Sequence, residues 1–242
     1  MKLGLVSVSF RDQSPRQILE AMTACGLFYI EWGSDVHVPP EKAEEIAALQ
    51  QEYGISCSSY GTYFRLGVTP PEELPRYIRA AQILGTRILR LWCGDRCSEA
   101  YSPTERDALF TACRAAANLA EKAGVILCME CHMGTYTQTL AGALELMEAV
   151  ASPAFRMYWQ PNQFRTVEEN LEYAKAIAPY AVHIHVFHWK GKEKFPLIEA
   201  KENWKNYLSC FPGEHGLLLE FMPDGKLSTL KQEAAALKEI VR

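Results

Sequence analysis

The segment VHIHVFHW, residues 182–189, places His183, His185 and His188 among apolar or aromatic positions. Side chains alternate along a strand, so His183 and His185 share one face. A buried strand has little use for two imidazoles on one side unless something binds them. Three further apolar runs end in polar side chains: VILCMEC from Val125 at Glu130, FRMYWQP from Phe155 at Gln160, and HGLLLEFM from His215 at Glu220. Such groups are costly at the ends of apolar strands unless they pair, bind a metal or meet a substrate. Two carboxylates, an amide oxygen and the imidazole of His185 suit one divalent ion. Mn²⁺ or Mg²⁺ is favoured, Zn²⁺ or Co²⁺ is accommodated, and positions remain for water or substrate.

Each residue also has a plainer reading. His185 could be a hydrogen-bonded core histidine, Glu130 a salt-bridged carboxylate, and Gln160 an amide that faces substrate. Glu31 is explained by an internal pairing with Arg90. His183 lies one layer below His185 and is expected to support it. The joint occurrence of Glu130, His185 and Glu220 at equivalent strand ends favours the ligand reading.

The elements that would position these residues form a regular series. Short β-rich runs start at Leu3, Leu27, Ile55, Arg87, Val125, Phe155, Ala181 and His215, separated by amphipathic stretches. Ser14-Pro15 and Ser102-Pro103 read as helix N-caps with proline just inside, and Pro39-Pro40-Glu41 as another proline-led start. Gly26, Gly54, Gly85 and Gly124 follow helical runs where a left-handed C-cap belongs. Each β-plus-α unit takes about 30 residues, and eight of them fill the chain without a linker. Strict βα alternation implies a parallel sheet, and eight units close a barrel. An open dinucleotide-binding sheet would carry G-x-G-x-x-G after the first strand, and SVSFRDQSP lacks it. The expected fold is α/β, a single-domain (β/α)8 TIM barrel over residues 1–242, with its site at the C-terminal strand ends.

Bulk properties narrow the partners. A net charge of −4 over 242 residues argues against a general nucleic-acid surface. No apolar run approaches the ~20 residues that cross a bilayer. Arg11 and Asp12 cut short the apolar opening MKLGLVSVSF, which reads as a first strand and not a leader. A cytoplasmic location and reduced cysteines are the matching expectations. CGDRC and CMEC could suggest a four-thiolate zinc site, but Cys128 and Cys131, three apart on a strand, point to opposite faces. WKGKEKF reads as a solvated loop.

The segments CMECH, YWQPN, HIHVFH and LLLEF resemble the xylose-isomerase-like barrel superfamily of sugar isomerases and epimerases, inosose dehydratases and endonuclease IV-type proteins. That resemblance implies metal ligands Glu, Asp, His and Glu at the ends of strands five to eight, here Glu130, Gln160, His185 and Glu220. Strand seven of relatives commonly reads H-x-H-x-x-D, so His188 stands where an aspartate is usual. His132 matches a histidine often found facing substrate. Gln160 replaces the usual aspartate and Gln163 a following histidine, which lowers the negative charge and argues against a trinuclear nuclease site. The resemblance implies Glu130 and Glu220 as general base and acid on opposite sides of a small sugar or polyol, with enolisation assisted by one divalent ion. Arg90, Trp92, His132, Asn162, His188 and Trp32 are the expected substrate contacts. Related dehydratases enolise and then expel a hydroxyl, so a lyase is the enzymatic alternative. A non-catalytic carbohydrate-binding barrel is the other. Short loops leave a homo-oligomeric partner a role in covering the site.

Overall fold

A computed structural model describes all 242 residues. Eight parallel strands close a barrel: β1 (Lys2–Val6), β2 (Tyr29–Gly33), β3 (Ser56–Leu66), β4 (Ile88–Cys93), β5 (Ile126–Glu130), β6 (Phe155–Trp159), β7 (Ala181–Val186) and β10 (Gly216–Leu219). Two short strands, β8 (Trp189–Lys190) and β9 (Glu193–Lys194), form an antiparallel hairpin after β7. WKGKEKF is therefore a turn-closed hairpin, tied back by the Gly191 N–H to the Gln163 carbonyl at 2.9 Å.

The helices are α1 (Pro15–Cys25), α2 (Ala43–Glu52), α3 (Leu74–Ile83), α4 (Pro103–Lys122), α5 (Leu140–Val150), α6 (Val167–Ile177), α7 (Lys201–Leu208) and α8 (Leu230–Ile240). Ser14 and Ser102 form full capping boxes with Gln17 and Glu105, which satisfies backbone N–H groups that a helix start leaves open. Gly26 ends α1 with φ +64°, a conformation costly for other residues. Pro39-Pro40 instead opens a 3-10 turn, and α2 starts only at Ala43.

Most of the core lies between the strands and the surrounding helices, in one cluster of 62 buried residues. The barrel lumen holds a smaller layer of Val6, Cys128, Tyr158 and Leu218. That division follows from a parallel sheet whose two faces are both covered. All eight cysteines are free thiols. The lumen layer carries the polar groups of the site on its upper side.

Candidate active site

Glu31, Arg90, Glu130, His185 and Glu220 project from β2, β4, β5, β7 and the end of β10, all buried. The Arg90 guanidinium bridges two carboxylates, with Nε 2.7 Å from Glu31 Oε1 and Nη1 2.5 Å from Glu130 Oε2. The Trp92 indole N–H also donates to Glu130 Oε2, at 2.5 Å. A buried guanidinium between two buried carboxylates meets the condition under which such charges survive away from water. Gly61 makes room for the bridge: a Cβ there would stand 2.6 Å from Arg90 Nη2 and 2.7 Å from Glu31 Oε1.

His185 lies at the centre. Its Nδ1 is 3.0 Å from Gln160 Oε1, 3.4 Å from Glu220 Oε2 and 3.5 Å from Glu130 Oε1. Its Nε2 faces Glu31 Oε2 at 3.4 Å. Below it, Tyr158 donates to Ser59 Oγ at 2.7 Å, and Ser59 donates to Glu31 Oε2 at 2.8 Å. His183 sits one layer deeper. Its Nδ1 lies 3.0 Å from the Gly216 nitrogen and 2.8 Å from the Val182 carbonyl, and its Nε2 lies 3.4 Å from the Ser58 carbonyl.

These contacts set the charges. Burial alone would raise the Glu31 and Glu130 pKa values, but Arg90 and His185 override it and hold both carboxyls well below the usual range. Burial opposes protonation of His185, yet Glu220 and Glu31 pull its pKa up to about 10. Glu220 goes the other way. Burial pushes it up to about 7, with Glu130 adding to the rise and His185 opposing it. Its Oε2 is buried with no hydrogen-bond partner. Two carboxylates in one site thus differ: Glu130 is hydrogen-bonded by Arg90 and Trp92, whereas Glu220 Oε2 has no hydrogen bond and only the 3.4 Å approach of His185 Nδ1.

A raised folded-state pKa adds stability below the unfolded value that is lost as pH climbs through the folded one. For Glu220 that window runs from pH 4.5 to about 7. In metal-free protein, Glu220→Gln is expected to gain on the wild type across it, by on the order of 2 kcal/mol. Urea unfolding of both proteins at pH 5 and pH 8 measures this. A difference independent of pH would show that the carboxyl is not held neutral.

A cavity of about 250 Å³ opens above these groups, lined by Arg90, Trp92, Glu130, His132, Gln160, Asn162 and Glu220 among others. Five expected substrate contacts or ligands beyond the two glutamates therefore share one space. His185 is fully buried beneath them. His132 stacks on Trp92, ring centroids 4.6 Å apart, and its Nδ1 lies 2.6 Å from the Met133 carbonyl. A carbonyl only accepts, so Nδ1 donates, and Nε2 has no protein partner.

Two expected contacts stand elsewhere. Trp32 does not reach the cavity. It is fully buried, its indole N–H donates to Gln50 Oε1 at 2.9 Å, and it packs against His37. It faces the helices because successive β2 side chains alternate between lumen and outer layer, and Glu31 takes the lumen. His188 lies past β7 beside the hairpin and lines a neighbouring cavity.

Several site residues carried no sequence signal. Ser59 and Tyr158 buttress Glu31 from β3 and β6. Arg11 and Tyr63 line the mouth, and Phe221 follows Glu220 with φ +56°. A bulky residue rarely adopts that conformation. Here the Phe221 N–H is held by Ser9 Oγ at 3.1 Å, and the ring packs on Trp189 with centroids 4.8 Å apart. Such pairings arise only from residues distant in the chain.

As they stand, no three His, Cys, Asp or Glu side chains are spaced to hold a metal ion. The donor set still suits one hard ion, on two observations. Three side-chain oxygens surround one imidazole nitrogen at 3.0–3.5 Å, and a buried carboxylate oxygen of Glu220 has no partner. Glu130 Oε1, Gln160 Oε1, His185 Nδ1 and Glu220 Oε2 are the atoms that would hold it.

The sequence family described as xylose isomerase-like TIM barrel matches residues 19–209. Solved structures align over nearly the whole chain. The probable 3-DHS dehydratase AsbF of Bacillus anthracis, involved in petrobactin synthesis, superposes with a TM-score of 0.83 at 18% identity, covering 98% of this chain and 99% of that one. D-allulose 3-epimerase from Methylomonas sp. gives 0.75 at 14% identity, covering 99% and 97%. D-psicose 3-epimerase from Clostridium cellulolyticum H10, solved with D-tagatose, gives 0.68 at 14% identity, covering 100% and 98%. At these identities the likeness is one of fold. No curated protein matches the chain by sequence.

Proposed function

The chain belongs to the xylose isomerase-like TIM barrel family, and on that premise we propose that it is an enolising isomerase or epimerase of a small sugar or sugar derivative. The observation that carries this reading is the pairing of unlike carboxylates over one cavity: Glu130 held by Arg90 and Trp92, and Glu220 with an unpartnered oxygen. Pairs of carboxyls pushed apart in this way divide acid and base roles.

Glu220, its carboxyl pushed up to about 7 by burial, is the group placed to exchange a proton with the carbon next to a substrate carbonyl, through the oxygen not directed at the ion. Glu130, held ionised by Arg90 and His185, keeps Oε2 engaged and presents Oε1 to the reacting centre as a base on the other side. Arg90 fixes that carboxylate and lines the cavity floor. Glu130, Gln160, His185 and Glu220 would hold a divalent ion, which would supply Lewis-acid polarisation of a substrate carbonyl. Trp92 and His132 offer a stacked wall against which sugar C–H groups pack.

One observation favours a second reading. His132 presents a free Nε2 at the same cavity, a third acid–base group that would serve expulsion of a hydroxyl after enolisation. Net release of water selects this lyase reading over epimerisation.

Incubation with a panel of ketoses, aldoses and sugar acids in ²H₂O tests the proposal, read as deuterium incorporation at the α-carbon. Exchange is expected, and its absence across the panel in ion-loaded protein sinks the enolising reading and leaves carbohydrate binding without turnover. Metal content checks the ligand set independently. The wild type is expected to hold about one divalent ion per chain, with a large loss in His185→Ala and in Glu220→Gln. A wild type that stays metal-free after exposure to Mn²⁺, Co²⁺ and Zn²⁺ removes the ion from the scheme.

A further inference from the structure

Glu220 and Phe221 are consecutive in the chain, and both line the active cavity. On a strand, successive side chains point to opposite faces. β10 obeys that rule to its end: Leu217 and Leu219 pack in the outer core between strands and helices, and Leu218 lies in the lumen layer. Continued, the alternation would put Glu220 in the lumen and Phe221 outside it, among the helices. The left-handed backbone of Phe221, φ +56°, breaks the alternation and brings the ring to the cavity beside the carboxyl.

Such a backbone is costly for a residue with a Cβ and persists only where the surroundings over-determine it. Here they do so from both neighbouring strands, since β10 lies between β1 and β7. On the β1 side, Ser9 Oγ accepts the Phe221 N–H at 3.1 Å. On the β7 side, the rings of Phe187 and Trp189 meet the Phe221 ring at centroid distances of 5.9 and 4.8 Å. Lys194, on the second strand of the hairpin, holds its ammonium 5.1 Å from the centroids of both Trp189 and Phe221.

Glu220 has no comparable restraint of its own. Glu130 is oriented by Arg90 and Trp92, whereas no group hydrogen-bonds to Glu220 Oε2. What holds Glu220 is its backbone, whose N–H donates to the Val186 carbonyl at 3.0 Å, and the residue that follows it.

We propose that Phe221 is a positioning residue for Glu220: its left-handed backbone, clamped by Ser9 and by the hairpin aromatics, fixes the direction in which the carboxyl enters the cavity. The assignment rests on the enolising reading for what Glu220 does, and on the clamp's own contacts for what holds it.

Phe221→Gly, Phe221→Ala and Ser9→Ala, compared with the wild type, test it. Both Phe221 variants lose the ring, but only alanine keeps the cost of the left-handed backbone. Phe221→Gly is therefore expected to melt roughly 2–4 °C above Phe221→Ala. Equal midpoints, or the opposite order, show that no strain is held there and overturn the proposal. In α-carbon deuterium exchange on the best substrate, kcat is expected to fall about tenfold or more in both Phe221 variants and about threefold or more in Ser9→Ala. Ser9 does not line the cavity, so KM in Ser9→Ala should stay within about twofold of the wild type. Excess ion in every assay, with ion content measured on the same samples, keeps loss of the ion apart from loss of the carboxyl's direction. A ring that only touched substrate would raise KM and spare kcat. That result, or wild-type kcat in Phe221→Gly and Ser9→Ala, defeats this assignment alone. A wild type inert on every sugar of the panel defeats the active-site reading, and the positioning role with it.

Discussion

Glu220→Gln is expected to lower turnover by about 10³-fold while leaving the protein folded. Glutamine keeps the volume of the side chain but cannot take a proton, and Glu220 is the buried carboxylate with an oxygen left without a partner. Removing a positioned acid–base group typically costs 10²–10⁴-fold, and losing an ion ligand adds to it. The measurement is deuterium exchange on the best substrate of the panel, with metal content determined on the same sample. Supplementing the variant with excess ion separates the two contributions, because added ion restores only the part due to weakened binding. A variant that keeps more than a tenth of wild-type exchange would remove Glu220 from the proton-transfer step.

Arg90→Ala should be the most destabilising substitution in the site. It strips the counter-charge from two buried carboxylates, Glu31 and Glu130, that Arg90 holds at 2.7 and 2.5 Å. Breaking one side of a buried ion pair costs about 3–5 kcal/mol, chiefly because the orphaned charge stays out of water. For a chain of this size that is a fall in thermal midpoint of roughly 6–20 °C. The double variant Arg90→Ala with Glu31→Gln is expected to recover part of the loss, since one orphaned charge goes with it. Calorimetry of the single and double variants measures both. If Arg90→Ala unfolds within a degree or two of the wild type, the bridge is not a stabilising element.

Much of the site is legible in the chain because it rests on local rules. A polar residue closing an apolar strand stands out wherever it occurs, and that rule singles out Glu130, Gln160, His185 and Glu220, which the fold brings to one centre. Glu31 and Arg90 were readable as a pair for the same reason. Trp32 was misplaced because both faces of a barrel strand are buried, so hydrophobicity does not say which one looks into the lumen. Its neighbour Glu31 takes the lumen position, and the indole turns to Gln50 on α2. His188 was read as part of the rim over the active cavity, yet β7 ends at Val186 and the hairpin carries the residue to the adjoining space. Ser59 and Tyr158 gave no sign of supporting Glu31, because nothing local marks a serine and a tyrosine that meet 99 residues apart.

The alternation of strands and helices, the serine-capped helix starts and the identity of the chemistry-bearing strand ends are properties of the sequence alone. They depend on periods of two and 3.6 residues and on caps that act within one turn. Which carboxylate is bridged by a guanidinium and which is left open was decided only by the tertiary structure. Barrel closure brings β2, β4, β5, β7 and β10 to a common centre, and the electrostatics there depend on ångström separations between residues 35 to 154 positions apart.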